Sequence, residues 1–134
     1  MGPIYGSFFG EMSETISRVD KIDEATFGKM ISAGLAGIRE LVPTDIGNKT
    51  FMDTLIPAVK AYDEAITAGD DFETALDKTA AAADSGKNST LDMVAKVGRA
   101  SRLGERSRGV LDAGATSCAL ILNTLCATAK GLIK

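Results

Sequence analysis

Between Gly98 and Ala115 the chain reads GRASRLGERSRGVLDAGA, a run of the residue types that hold phosphate. Gly98, Gly104, Gly109 and Gly114 let the backbone approach a ligand closely, and Arg99, Arg102, Arg106 and Arg108 can fork onto phosphate oxygens. A glycine just before a helix would add unpaired amides at a positive dipole end. Chemistry alone leaves a second reading open: a solvated basic loop whose glycines serve turn geometry. No apolar period runs through the segment, so an ordered loop or a broken turn is expected there.

The rest of the composition narrows the chemistry. A net charge of -3 and a pI near 4.9 argue against nucleic acid or an anionic membrane surface as partner. Lys96 and the four arginines, against Glu105 alone, form a cationic island in an acidic chain, which suits a small anion. The sequence contains no histidine, the usual general base, zinc ligand and phospho-carrier. No catalytic residue and no metal ligand are therefore assigned, and any histidine chemistry would lie on another chain. Asp70, Asp71 and Glu73 cluster where a helix should begin and fit its dipole better than a cation. Cys118 and Cys126 would stand roughly 12 Å apart on one helix, too far for a disulfide. Alternating with Leu122 and Leu125, they are expected to be buried and inert. Free cysteines, no secretory leader and no membrane-length apolar run point to the cytoplasm.

With 134 residues, 45% of them apolar, residues 1–134 are expected to form a single all-α domain around one core. Ile4, Phe8, Met12 and Ile16 recur at helical spacing, with Tyr5, Phe9 and Val19 widening the stripe. Asp23 is a candidate N-cap, flanked by Ile22 and Phe27 as a hydrophobic staple, for a helix carrying Phe27, Met30, Ile31, Leu35, Ile38 and Leu41. Thr50 and Asp53 resemble a capping box with a shortened acid, opening a third helix with Met52, Leu55, Ile56, Val59, Tyr62 and Ile66, kinked at Pro57. Asp71 to about Val97 reads as a long alanine-rich helix with Phe72, Leu76, Leu91 and Val94, weakened near Gly86 and Asn88. A fifth helix follows from Ala115. Met12, Met30 and Met52 fall on core stripes.

Three segments carry a family resemblance. GRAS-x-LGERS-x-G followed by D-x-GA resembles the GRASYLGERS-x-GHxDPGA signature of the dihydroxyacetone kinase L family. GNKTFMD, from Gly47 to Asp53, resembles that family's GDKTM-x-D, and GPIYGSFF resembles its SGPLYGTFF, in the same order along essentially the whole chain. The resemblance implies an antiparallel helical bundle or barrel, with about five of the family's eight helices present, holding ADP or ATP at one end. Position by position it implies that Arg99 contacts the nucleotide phosphates and that Asp112, Ala113 and Gly114 close over the nucleotide. Phe51 stands where a methionine lines the adenine pocket, Met1 and Gly2 fall at a Ser-Gly phosphate turn, and Val42 replaces a glycine near the nucleotide. Val110 and Ala113 replace a histidine and a proline, and the family's D-x-D-x-G-x-N-M segment, whose aspartates hold magnesium, has no counterpart in these residues.

The implied function is an ADP- or ATP-binding subunit, or a fragment of one, in phosphoryl transfer to dihydroxyacetone on a partner subunit. One branch of the family is recharged by a phosphocarrier of the sugar phosphotransferase system; in the other, ATP exchanges. The chain alone is expected to be inactive. The alternative is a non-catalytic helical module with a degenerate nucleotide site, which covers its apolar stripes by self-association or on a sister subunit.

Overall fold

Five α-helices arise where the apolar stripes demand them: α1 (Gly2–Thr15), α2 (Glu24–Leu41), α3 (Met52–Thr67), α4 (Phe72–Ser89) and α5 (Ala113–Leu132). The structure, a computed structural model, describes residues 2–17, 21–41, 46–96 and 99–132, and of residues 2, 3, 99 and 100 the backbone alone. Among the described residues there is no strand, and no helix is long and apolar enough to cross a membrane. Short 3-10 turns occupy Thr90–Asp92 and Arg99–Ser107, the second broken at Gly104, whose φ is 56°. That is the broken turn expected between Gly98 and Gly114.

Local signals set the helix starts. Asp23 accepts from the Thr26 amide at 2.8 Å, and this bond holds its carboxyl below the usual range. Ile22 remains 43% exposed, so the staple contributes little burial there. Asp71 caps α4 through the Thr74 amide at 2.8 Å, while Asp70 pairs with Lys78 and Glu73 and Asp77 face Lys130.

One buried cluster joins the helices, including Phe8 and Met12 of α1, Ile31 and Ile38 of α2, Met52, Leu55 and Tyr62 of α3, Leu76 of α4 and Cys118 and Leu122 of α5. Phe9 departs from expectation at 45% exposed, lying off the buried side of α1, and Val19 falls outside the described residues. Helix α4 also ends earlier than its composition suggests, at Ser89, and Leu91 and Val94 belong to the turn and extended chain beyond it.

Gly86 does not weaken α4; it is where α4 meets α3. A Cβ there would lie 2.1 Å from the Asp53 carbonyl oxygen and 3.0 Å from Thr54 Cα. Pro57 has no N–H to give that carbonyl, its partner four residues back, yet α3 runs through the proline unbroken. The side that proline strips of its intrahelical bond is the side the glycine covers.

Neighbouring helices run antiparallel. Asn123 Nδ2 donates to Asp84 at 2.9 Å and Lys130 to Asp77 at 2.6 Å, fixing α5 against α4. Tyr62 donates to the Glu24 carbonyl at 2.6 Å, pinning the far ends of α2 and α3. The alternation brings the starts of α1, α3 and α5 and the ends of α2 and α4 to one end of the bundle.

Candidate functional site

Two buried charged residues organise that end. Asp53, 1% exposed, accepts from the Gly47 amide at 2.6 Å and the Thr50 amide at 2.8 Å. The expected capping box is met in its acidic half, whereas Thr50 Oγ1 accepts from the Met52 amide at 3.1 Å. Lys49, 3% exposed, has a left-handed backbone with φ of 60°, an uncommon conformation for a residue with a Cβ. Its Nζ donates to the carbonyls of Thr90 at 2.7 Å, Met93 at 3.1 Å, Ser107 at 2.6 Å and Val110 at 2.5 Å.

Around this ammonium, residues 90–96 and 99–112 form the two limbs of a strap. The Gly109 amide donates to the Leu91 carbonyl at 2.7 Å. The Ala95 amide donates to Ser107 Oγ at 2.9 Å, and the Lys96 amide to the Asn48 carbonyl at 3.3 Å. The strap closes at Asp112, whose amide donates to Thr90 Oγ1 at 2.9 Å and whose Oδ2 accepts from the Ala115 amide at 2.8 Å. Asp112 therefore caps α5, which begins at Ala113 and not at Ala115. Gly114 lies inside the first turn instead of just before the helix, and a carboxylate takes the amide of the residue after it, Ala115.

A narrow apolar crevice of about 10 Å³, room for about one water, has Tyr5, Phe8, Ile38, Phe51, Leu55 and Cys118 among its walls. The Tyr5 hydroxyl is buried and has no hydrogen-bond partner. Burial, with lesser contributions from Cys118 and the Asp112 charge, pushes it up to about 12. A hydroxyl stripped of water without a partner costs about 1–3 kcal/mol, which a ligand atom at that point would recover.

The structure thus brings Phe51, Asp112, Ala113 and Gly114 to one end, with Gly2 opening α1 there. Arg99 begins the second 3-10 stretch as backbone, and its side chain, like Met1 and Val42, lies outside the described residues. Of the basic island, Arg102 and Arg106 are exposed, while Arg108 pairs with Glu105 at 3.0 Å and donates to the Asp92 carbonyl at 2.6 Å. Lys49, Asp53 and Tyr5 were missed as functional candidates. The left-handed turn that Gly47 and Asn48 announce was the available signal for Lys49.

The family model described as the DAK2 domain matches residues 1–127. The chain belongs to the DAK2 domain family. It is 39% identical over 127 residues to the "PEP-dependent dihydroxyacetone kinase 1, ADP-binding subunit DhaL" of Listeria innocua, covering 95% of this chain and 58% of that protein. It is 31% identical over 129 residues to the "PEP-dependent dihydroxyacetone kinase, ADP-binding subunit DhaL" of Escherichia coli, covering 96% of this chain and 61% of that one. An "L-erythrulose 1-kinase" of Mycolicibacterium smegmatis is 33% identical over an alignment of 128 residues that, gaps aside, covers 92% of this chain and 21% of that protein. The chain therefore spans about three fifths of the length of the two DhaL subunits.

Within this DAK2 chain the two cysteines behave as core. Both are buried and free. Burial pushes the Cys118 thiol up to about 12 and the Cys126 thiol up to about 11, with the Asp77 charge adding to the latter. The folded chain thus keeps protons that the unfolded chain releases near the ordinary thiol value of 9.0. The stability this contributes is complete below that pH and is lost as pH climbs through the raised values. The urea midpoint is expected to fall steadily above about pH 9, with neither thiol alkylated by iodoacetamide in the folded chain at neutral pH. A midpoint flat across that alkaline range, or rapid alkylation, would contradict the burial.

Proposed function

We propose that this chain closes one end of an ADP- or ATP-binding site in a dihydroxyacetone kinase L-type subunit, and that phosphoryl transfer runs to dihydroxyacetone on a partner subunit. The observation that carries the reading is the orphaned Tyr5 hydroxyl at an apolar crevice walled by Phe51, near enough to Asp112 to feel its charge. The crevice as it stands holds about 10 Å³ with no polar surface, so a flat base would have to part its walls to lie against Phe51 and reach the Tyr5 hydroxyl. Arg99 is the proposed phosphate contact, and Asp112, Ala113 and Gly114 the segment closing over the nucleotide, with Gly2, Met1 and Val42 completing the surround.

Phosphoryl transfer asks a protein for positioning and charge neutralisation more than for covalent chemistry, so the absence of histidine is no obstacle. Bound nucleotide supplies the phosphoryl group; these residues orient it and exclude water. Among the described residues no three potential ligands gather as a metal site, and Asp53 and Asp112 are committed to backbone amides. Magnesium is accordingly assigned to residues other than these. The names of the two DhaL relatives favour the branch in which ADP stays bound and a phosphocarrier recharges it. The erythrulose kinase widens the substrate class to small keto-alcohols. In this reading residues 1–134 act as one cytoplasmic domain that docks a dihydroxyacetone-binding subunit.

Calorimetric titration with ADP, with and without magnesium, tests the reading on the unmodified chain, Arg99→Ala and Tyr5→Phe. Saturable binding is expected, weakened about tenfold or more by Arg99→Ala through loss of charge-assisted bonds. Tyr5→Phe is expected to weaken ADP while stabilising the ligand-free chain by about 1 kcal/mol, because the orphaned hydroxyl is gone. A folded chain that takes up no ADP ends the proposal.

A further inference from the structure

We propose that Lys49 is a positioning residue whose ammonium latches residues 90–96 and 99–112 onto the start of α3. For the ligand it serves, the proposal rests on the nucleotide reading above.

The base of the latch is fixed. Lys49 sits between Gly47 and Thr50, and both of those amides are held by Asp53 in the first turn of α3. Its tip gathers both limbs of the strap: the carbonyls of Thr90 and Met93 from the outgoing limb, and those of Ser107 and Val110 from the returning one. Among the described residues no carboxylate lies within ion-pair distance of it. Four carbonyls converging on one nitrogen, two of them sharing an N–H, call for a compact cation whose three donors radiate from one atom, which an ammonium is and a planar guanidinium is not.

Apolar burial cannot do this work. Leu103, Val110 and Leu111 of the strap are 45%, 58% and 39% exposed. Among the residues whose side chains are described, Ala95 and Ser107 are its buried ones beyond Thr90, and the Arg108 pair with Glu105 stands in solvent. The latch therefore sets the position of Asp112 and of the strap backbone from Arg99 onward relative to Phe51.

The test uses Lys49→Met, which keeps most of the stem, and Lys49→Ala, which leaves room for an added amine. Trypsin cleavage after the exposed Arg102 and Arg106 reports strap closure independently of any ligand. Both variants are expected to be cleaved about tenfold faster or more at these sites, with helicity retained, and to lose ADP affinity by a similar factor. Butylammonium, but not tetramethylammonium, is expected to restore protection and affinity in Lys49→Ala, because only the former carries N–H donors. Should the alanine variant fail to fold, Lys49→Met decides by cleavage and affinity. Unchanged cleavage and affinity in the variants, or equal rescue by both amines, would overturn the latch. If the unmodified chain binds no ADP, the nucleotide reading fails by itself, while cleavage and amine rescue still judge Lys49.

Discussion

Gly86→Ala is expected to lower the thermal unfolding midpoint by about 10 °C, corresponding to about 3 kcal/mol for a chain of this size. At an exposed helical position the same change would stabilise by about 1 kcal/mol through helix propensity. Here the new methyl would meet the Asp53 carbonyl oxygen at 2.1 Å, with the Asp53 carbonyl carbon and Thr54 Cα at 3.0 Å. All three are backbone atoms of α3 and cannot rotate aside. Relief requires separating α3 from α4, which breaks the packing of Leu76 and Met52 and displaces Asp53, the anchor of the Gly47 to Thr50 turn. Gly10→Ala is the internal control. Nothing lies within 4 Å of a Cβ at Gly10, so that change should leave the midpoint unchanged or raise it. Thermal melts followed by circular dichroism separate the two, and a Gly86→Ala melt like the parent's would refute the close approach.

Asp53→Asn is expected to cost about 2–3 kcal/mol and to open the strap, although the side chain keeps its size. Two backbone amides aim at the two carboxylate oxygens, at 2.6 and 2.8 Å. An asparagine can turn only one oxygen towards them; its amide would face an N–H with another N–H. The site is 1% exposed, so no water takes over the lost acceptor. Lys49 lies between the two released amides, so loss of the carboxylate should pass directly to the strap. Urea unfolding measures the first effect and the rate of trypsin cleavage at Arg102 the second. A parent-like midpoint would show that the carboxylate merely accompanies the turn.

What the sequence made legible was local. The stripes of α1, α2 and α3 and the cap at Asp23 follow from side-chain types at fixed spacings, and the structure bears them out except at Phe9 and Leu41, which are exposed. The family resemblance named the segments that meet at one end, because they are contiguous words. What stayed hidden depends on partners distant in the chain. Gly86 reads as a flaw when helix propensity is the only scale, and its use appears only when Asp53 arrives opposite it. Lys49 reads as a solvated loop cation, because nothing near it reveals that four carbonyls, from residues 41 to 61 positions later, will surround its nitrogen. Phe9 shows the converse error: a large apolar residue beside a core stripe was counted with it, though the helix turns it away.

The alternation of the five described helices has an electrical consequence. In an up-and-down bundle with an even number, helix starts and helix ends balance at each face, and their partial charges of about half a unit each cancel. Here the described helices place the starts of α1, α3 and α5 against the ends of α2 and α4 at the strap. One unmatched start leaves a backbone polarity of about +0.5 at that face and the opposite at the other, before any side chain is counted. Among the described helices the strap face thus carries a backbone field that favours an anion, in residues whose net charge is -3.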